Sequence, residues 1–254
     1  MANIKDIIEY FDTVLPKALS MPWDNDGIMV LPDENANVKR VLIALDCTSI
    51  TIEKAKSISA DLIITHHPLV FKSLSSIDYS EPYGKRVIQC IKNNIAVLSY
   101  HTRLDEADGG VDDCLAKIVE IKDTQKMEHC GKVGILEKEM SYNDFCKHIK
   151  NALGIDSVYG VCSGNSVKKV AVIGGSGKDF ITDVKKSGAD TFLTGEVNHS
   201  GLIEARELGL NMVCGTHYET ENVVLPKIKE LLLSKFPEIE IEILPFKAEY
   251  EYGI

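Results

Sequence analysis

The stretch IITHHPLV, Ile63–Val70, decides how this chain is read. An aliphatic run leads into it, and two adjacent histidines and a proline close it. A strand interior disfavours imidazoles, and Pro68 cannot donate to a ladder. His66 and His67 therefore stand where a buried strand stops and a loop begins. In an open α/β sheet that is the usual address of a ligand site.

The sequence around this stretch alternates between two periods. Ile4, Ile7, Ile8, Phe11, Val14, Leu15 and Leu19 recur at helical spacing and predict one amphipathic helix over 4–19. A loop, SMPWDNDG, carries the single tryptophan. A strand centred on 41–45 precedes a helix in SITIEKAKSISA, and DLIITHH is the next strand. YGKRVIQCIKNN reads as a helix and IAVLSYHT as a strand. Beyond a polar region, SYNDFCKHIKNALG reads as a helix capped by Ser141 or Asn143 and closed by Gly154, with His148 on its surface. VKKVAVIGG, DTFLTGE and LNMVCGTH read as strands separated by helices in DFITDVKKSGA and SGLIEARELG. ENVVLPKIKELLLSKF reads as a long helix kinked near Pro226, and IEIEILPF as a last strand. Strands alternating with helices indicate an α/β architecture.

The alternation contains a repeat. Displaced by 129 residues, VKRVLIALDCTSITIEKAKSISADLIITHH falls on VKKVAVIGGSGKDFITDVKKSGADTFLTGE without a gap. Val38 meets Val167, Lys39 meets Lys168, Ala60 meets Ala189, Asp61 meets Asp190 and Thr65 meets Thr194. The alternative is two generic βαβ units sharing a pattern; gapless identity at matched secondary structure favours the repeat. With the offset changed to 116, His101 meets His217 and Asp105 meets Glu221. The repeat predicts two α/β domains. The first spans 1–126 and is completed by 222–254; the second spans 127–221.

Composition bounds the function. At 254 residues with 44% hydrophobic and 26% charged side chains, the chain has ample material for two cores. A net charge of −10 argues against a nucleic-acid polymer as partner, because neutralising phosphates needs a basic surface. Seven dispersed cysteines without C-x-x-C fit a reducing cytoplasm better than a disulfide framework. The N-terminus shows no apolar stretch of signal-peptide type, and no run reaches membrane-spanning length.

Each half of the repeat places chemistry at strand ends. The first gives His66-His67 and His101…Asp105; the second gives Gly195-Glu196 and His217…Glu221. Imidazoles mixed with carboxylates suit Zn, Mn, Fe or Ni, whereas oxygen-only sites suit Mg or Ca. Adjacent histidines on an extended strand point apart, but in a loop they can serve two ions side by side. If the halves face each other, these groups converge in the cleft between them, as a two-metal hydrolase requires. His217 and Glu221 also have the spacing of one helical turn, so Glu221 can equally cap a helix.

Three further stretches border these groups. GGSGK lacks the complete P-loop pattern; Gly175, Ser176 and Gly177 either cradle a phosphate at a helix start or form a tight βα turn. Trp23, Asp24 and Asn25 either line a substrate site or form a turn with Trp23 plugging the core. Glu196 and His199, in TGEVNHS, either support metal ligands or touch substrate.

Taken together, WDNDG, ITHHP, HTRLDEADGGVDD, GGSG, GADTFLTGE and HYETE resemble, in order, the GTP cyclohydrolase 1 type 2 homolog family, also called Ngg-interacting-factor-like. The resemblance implies two intertwined α/β domains with two divalent transition-metal ions in the cleft between them. The implied ligands are His66, His67, Asp105, His217 and Glu221, with Glu221 bridging, and His101 and Glu196 are catalytic or supporting. It also implies a toroidal homohexamer, a trimer of dimers, in the compact form that lacks a mid-chain insert of about a hundred residues. The activity implied is hydrolysis of a small nucleotide-like or heterocyclic substrate. The alternatives are a metal-binding interaction or regulatory protein and a metal store.

Overall fold

The computed structural model describes residues 2–128 and 130–244. The chain divides into two compact units, one built from the segment up to Ala107 and from Leu225 onward, the other from Asp108–Val224. The first contains α1 (Ile4–Val14), β1 (Gly27–Val30), β2 (Arg40–Ala44), α2 (Ser49–Ser57), β3 (Leu62–Thr65), α3 (Pro82–Lys92), β4 (Ala96–Ser99) and α4 (Thr102–Glu106). The second contains α5 (Val111–Ile118), β5 (Lys122–Lys126), β6 (Lys132–Met140), α6 (Tyr142–Leu153), β7 (Tyr159–Val161), β8 (Val167–Ser176), α7 (Ile181–Lys186), β9 (Thr191–Glu196), α8 (His199–Glu207), β10 (Asn211–Cys214) and α9 (His217–Glu221). The chain then returns to the first unit as α10 (Leu225–Lys235) and β11 (Glu240–Ile243).

The first sheet has the order β1-β4-β3-β2-β11, parallel except at β1. All four residues of β3 are buried, as are all four of β4, which is the signature of strands covered on both faces. Leu42, Ile63 and Val97 pack with Ile52 and Ala55 of α2 and with Val87 and Cys90 of α3. The second sheet has the order β5-β6-β8-β9-β10-β7, with β8, β9 and β10 parallel. Its strands alternate between two cores. Ala171, Ile173, Phe192, Met212 and Cys214 face one, and Val170, Val172, Leu193 and Val213 face the other.

The two units repeat each other down to single hydrogen bonds. Asp61 Oδ2 accepts the amides of Lys39 and Arg40 at 2.7 and 3.0 Å. Asp190 Oδ2 accepts those of Lys168 and Lys169 at 3.0 and 2.7 Å. Each aspartate thus ties the start of one strand to the start of the next. Ser59 and Gly188, also 129 apart, both turn through positive φ. In the ladders Leu62 pairs with Ala96 and Thr191 with Asn211, an offset of 115 for the third strand. The histidines are 116 apart, so the second unit holds one extra residue between strand and histidine. That residue is Thr216, at φ 66°, a conformation rare for a β-branched side chain.

Four expectations need correction. The first helix stops at Val14 because Pro16 cannot continue it, and Lys17–Leu19 forms a separate 3-10 turn. The unit boundary lies at 107/108 and 224/225 rather than at 126/127 and 221/222. The reason is α5, whose Leu115 and Ala116, with Val119 just after the helix, pack with Phe145, Ile149, Val170 and Val172 of the second unit. His148 is half-buried, with Nε2 2.9 Å from the Val119 carbonyl oxygen. The kink near Pro226 is a 3-10 turn, Asn222–Val224, before α10. Pro245 and Phe246 of the last expected strand lie outside the described residues. No helix among the described residues is long and apolar enough to cross a membrane.

Candidate metal centre

In the first unit, β3 ends at Thr65 and the two histidines occupy the turn that follows. Leaving the strand lets both rings turn to one side, with centroids 5.0 Å apart. His101, at the end of β4, joins them at 5.2 Å from His66 and 5.6 Å from His67. Ligand nitrogens of the three lie within 4.8 Å of one another. Two imidazoles on one ion, each at about 2.1 Å, leave their nitrogens at most about 4.2 Å apart. The trio therefore has the spacing of one ion or of two close ions after small adjustments. Asp105 Oδ1, one helical turn on from His101, lies 3.6 Å from His66 Nε2.

Each ring is oriented from behind. His66, fully buried, has Nδ1 3.0 Å from the carbonyl oxygen of Tyr100. His67 Nδ1 lies 2.8 Å from Asp46 Oδ1, and His101 Nδ1 lies 2.9 Å from Asp24 Oδ1. A carbonyl only accepts, and so does an ionised carboxylate, so the proton of each neutral imidazole sits on Nδ1. The lone pair is then on Nε2. Metal-binding histidines are held in the same way.

The WDNDG loop is the clamp on this arrangement. Asp24, side chain fully buried, accepts from His101, from the Thr102 amide at 3.0 Å and from the Thr102 hydroxyl at 2.6 Å. Burial pushes its carboxyl up, but the bonds from His101 and Thr102 outweigh that and hold it at about 2. Two residues on, Asp26 takes Arg103 in a two-pronged pair, Nε to Oδ2 at 2.9 Å and Nη2 to Oδ1 at 3.1 Å. Arg103 also donates to Asp12 at 2.8 Å and to the Leu15 carbonyl at 2.9 Å. Alternate aspartates of the loop thus grip successive residues of α4, which carries His101 at its start and Asp105 inside. Asp24 is thus engaged in positioning His101 and Thr102. Trp23 is 63% exposed, so it does not plug the core. Exposed Asn25 donates its side-chain amide to the Val70 carbonyl.

In the second unit, α9 begins at His217. Its Nδ1 lies 3.1 Å from Glu196 Oε1 at the end of β9, and its Nε2 lies 3.1 Å from Glu221 Oε2. Glu196 therefore supports His217, as one of the readings of TGEVNHS holds, while Glu221 is buried beside the ring. Close backbone approach makes this possible. A side chain at Gly175, φ 61°, would collide with the Glu221 carboxylate, and one at Gly195 would lie 2.6 Å from Thr220 Oγ1. Thr220 Oγ1 accepts the Gly175 amide at 3.1 Å and donates to the Thr216 carbonyl at 2.8 Å. Burial raises the pKa of the neighbouring Glu219 carboxyl, which is bonded to the Thr216 hydroxyl.

Two amides of the glycine stretch are already bonded within the protein. Gly175 and Ser176 still belong to β8, the Gly175 amide is bonded to Thr220, and the Gly177 amide donates to the Glu196 carbonyl at 3.3 Å. A 3-10 turn, Lys178–Phe180, separates them from the short α7. His199 stands exposed at the first turn of α8, behind the Asn198 cap. Sequence reasoning missed Asp46, Asp26 and Arg103. Asp46 closes β2 at the position equivalent to Gly175, and the repeat could have flagged it as the place where the halves differ.

Nitrogen donors with oriented lone pairs, joined by carboxylates, are a fit for a borderline transition metal. Fold and site together define an internally repeated α/β protein with histidine–carboxylate groups able to hold metal. The chain belongs to the Duf34/NIF3 (NGG1p interacting factor 3) family, whose model matches residues 2–250. It is 36% identical over 237 residues to a Clostridium perfringens protein named GTP cyclohydrolase 1 type 2 homolog, covering 90% of each chain. It superposes on a Bacillus cereus protein related to NIF3 with TM-score 0.91 at 25% identity, covering 100% of this chain and 99% of that one. On the reduced form of HcgD from Methanocaldococcus jannaschii the TM-score is 0.85 at 32% identity, covering 96% and 98%.

Proposed function

We propose that the two donor sets act together as a dinuclear centre of a hydrolase for a small nucleotide-like or heterocyclic substrate. The observation that carries this reading is the tautomer lock. All four histidines, His66, His67, His101 and His217, have Nδ1 tied to a protein acceptor. In this reading His66, His67, Asp105, His217 and Glu221 would hold the ions, Glu221 would be the shared carboxylate, and His101 has the same orientation as a fourth nitrogen donor. Divalent ions held there would supply Lewis acidity and a water acidified towards neutral pH. The chain's own residues hold the donors still: Asp24 and Asp46 keep the Nδ1 protons in place, and Glu196 does so for His217. The names of the relatives favour a ring-opening hydrolysis of a purine type.

The test is elemental analysis of the purified protein, then a hydrolysis screen over nucleotides and cyclic amides with that metal loaded. The reading expects turnover of at least one substrate that a chelator abolishes and the metal restores. Bound metal with no turnover across the screen would count against it and favour the metal-binding regulatory reading. Exposed Ile77, Tyr79 and Tyr83 offer that reading an interaction surface. Assembly as a homohexamer in the cytoplasm belongs to the same proposal; sedimentation showing a 28.1 kDa monomer would remove the hexamer.

A further inference from the structure

The first donor set has an aromatic wall whose exposure the metal chemistry does not explain. Trp23 is 63% exposed and Phe71 is 44% exposed. Their ring centroids lie 6.1 Å apart, and they lie 6.2 and 6.0 Å from His101. The three planes meet at 69–85°, so the rings form a corner rather than a flat patch. A flat ring stacked on one member of such a corner meets the other two edge-on. Offset stacking and edge-to-face contact are the two arrangements aromatic rings prefer.

The wall is also rigidly mounted. Met21 donates its amide to Thr102 Oγ1 at 2.9 Å, and the Asp24 amide donates to the Met21 carbonyl at 3.0 Å. Asp24 grips His101 and Thr102, and Asn25 ties the loop to Val70, next to Phe71. The hydrogen bonds that orient His101 therefore also fix Trp23, and one more fixes the segment bearing Phe71. Large rings held exposed and in place beside oriented nitrogen donors are pre-organised for a ligand.

We infer that Trp23 and Phe71 form a stacking subsite for a planar heteroaromatic ring, of nucleobase type, presented to His101. The inference rests on the hydrolase reading for its purpose, since it places the ring of the substrate beside the metal donors. The subsite selects flat, unsaturated rings over sugars and over open-chain amides. It distinguishes bases poorly, because every base has a π-face.

Trp23 is the only tryptophan, so its fluorescence reports this corner alone. The full-length protein is titrated with guanosine, and with ribose 5-phosphate as the non-planar control. Saturable quenching by guanosine and none by the sugar phosphate is expected. Phe71→Ala should raise the guanosine Kd about 10-fold. Equilibrium dialysis should show near-normal binding for Trp23→Phe and about 10-fold weaker binding for Trp23→Ala, with circular dichroism confirming that each variant is folded. Equal quenching by ribose 5-phosphate, or no saturation with guanosine, overturns the subsite. So does an emission shift that follows protein concentration alone, because the wall is then covered by a second copy. Saturable guanosine binding without hydrolysis of any nucleotide or cyclic amide in the screen sinks the hydrolase reading and leaves the subsite standing. Heterocycle hydrolysis with an unchanged KM in Trp23→Ala sinks the subsite and leaves the hydrolase reading.

Discussion

The two donor sets descend from one pattern and solve the same problem differently. In the first unit the ends of the strands carry three imidazoles, and a backbone carbonyl and two carboxylates behind them hold the rings. In the second the position of His67 is Glu196, which has retreated to support His217, and the position of Asp46 is Gly175. Removing that side chain opens the space that Glu221 fills. One set is nitrogen-rich and braced by ion pairs; the other is carboxylate-centred and depends on backbone contact. A duplicated fold can thus supply unlike ligands from like positions, provided each exchange is matched behind it.

If that contrast is right, the largest effect belongs to the brace of the first unit. Arg103 and Asp26 are both buried, with side chains 2% and 0% exposed. Arg103→Ala leaves buried Asp26 with only Lys17 and Ser20 as partners, and should cost about 3 kcal/mol, the lower end for a broken buried pair, in urea unfolding. A loss below about 1 kcal/mol would show that water reaches Asp26 and that the brace is not buried in solution. Next come the orienting carboxylates. Asp24→Ala and Asp46→Ala should each weaken metal binding about 10–100-fold by competition with a chelator, with the fold intact. Glu196→Ala, acting on a more exposed ring, should fall at the lower end. Equal losses at all three would remove the asymmetry.

A smaller effect is expected at Gly175. Gly175→Ala forces a side chain into positive φ and against Glu221, costing about 1–2 kcal/mol by strain. Metal should be lost from the second set in that variant, whereas an alanine at Asp46 leaves the second set unaffected. The weakest lever is pH. Burial raises the Asp26 carboxyl, but Arg103, Lys17 and Ser20 more than compensate and its pKa is lowered. A depressed folded-state pKa gives stability that is present above the ordinary carboxylate range and lost as pH falls through the folded value. Apo-protein melting temperature should therefore decline in acid below about pH 4, and less steeply in Asp26→Asn. Parallel declines would exclude Asp26 as a contributor.

Much of this arrangement was legible in the sequence. The strand-ending His66-His67-Pro68 and the 129-residue offset together locate both sheets and most of the donors. The offset works because Asp61 and Asp190 repeat a structural bond, and such bonds fix spacing. What escaped was long-range. β6 runs into the exposed Glu137-Lys138-Glu139 and so resembles a polar loop, and α5 lacks any sequence mark of which sheet it joins. Arg103 looks like one more surface charge until Asp26, far away in the chain, is folded against it. Thr216 is invisible as a strained residue because only the ladder register shows that it is the one added.

The most direct test is metal stoichiometry, by elemental analysis, on the wild type, Asp105→Ala and Glu221→Ala, each confirmed as folded by circular dichroism. Two cations held close together, as proposed, would repel strongly, and a shared carboxylate would reduce that repulsion. The longer glutamate can span them, while aspartate from the equivalent position reaches one. The account predicts about two ions per chain in the wild type, about one in Asp105→Ala and close to none in Glu221→Ala. An Asp105→Ala protein without metal beside a Glu221→Ala protein that keeps an ion would contradict it, and would move the shared carboxylate to the other half of the repeat.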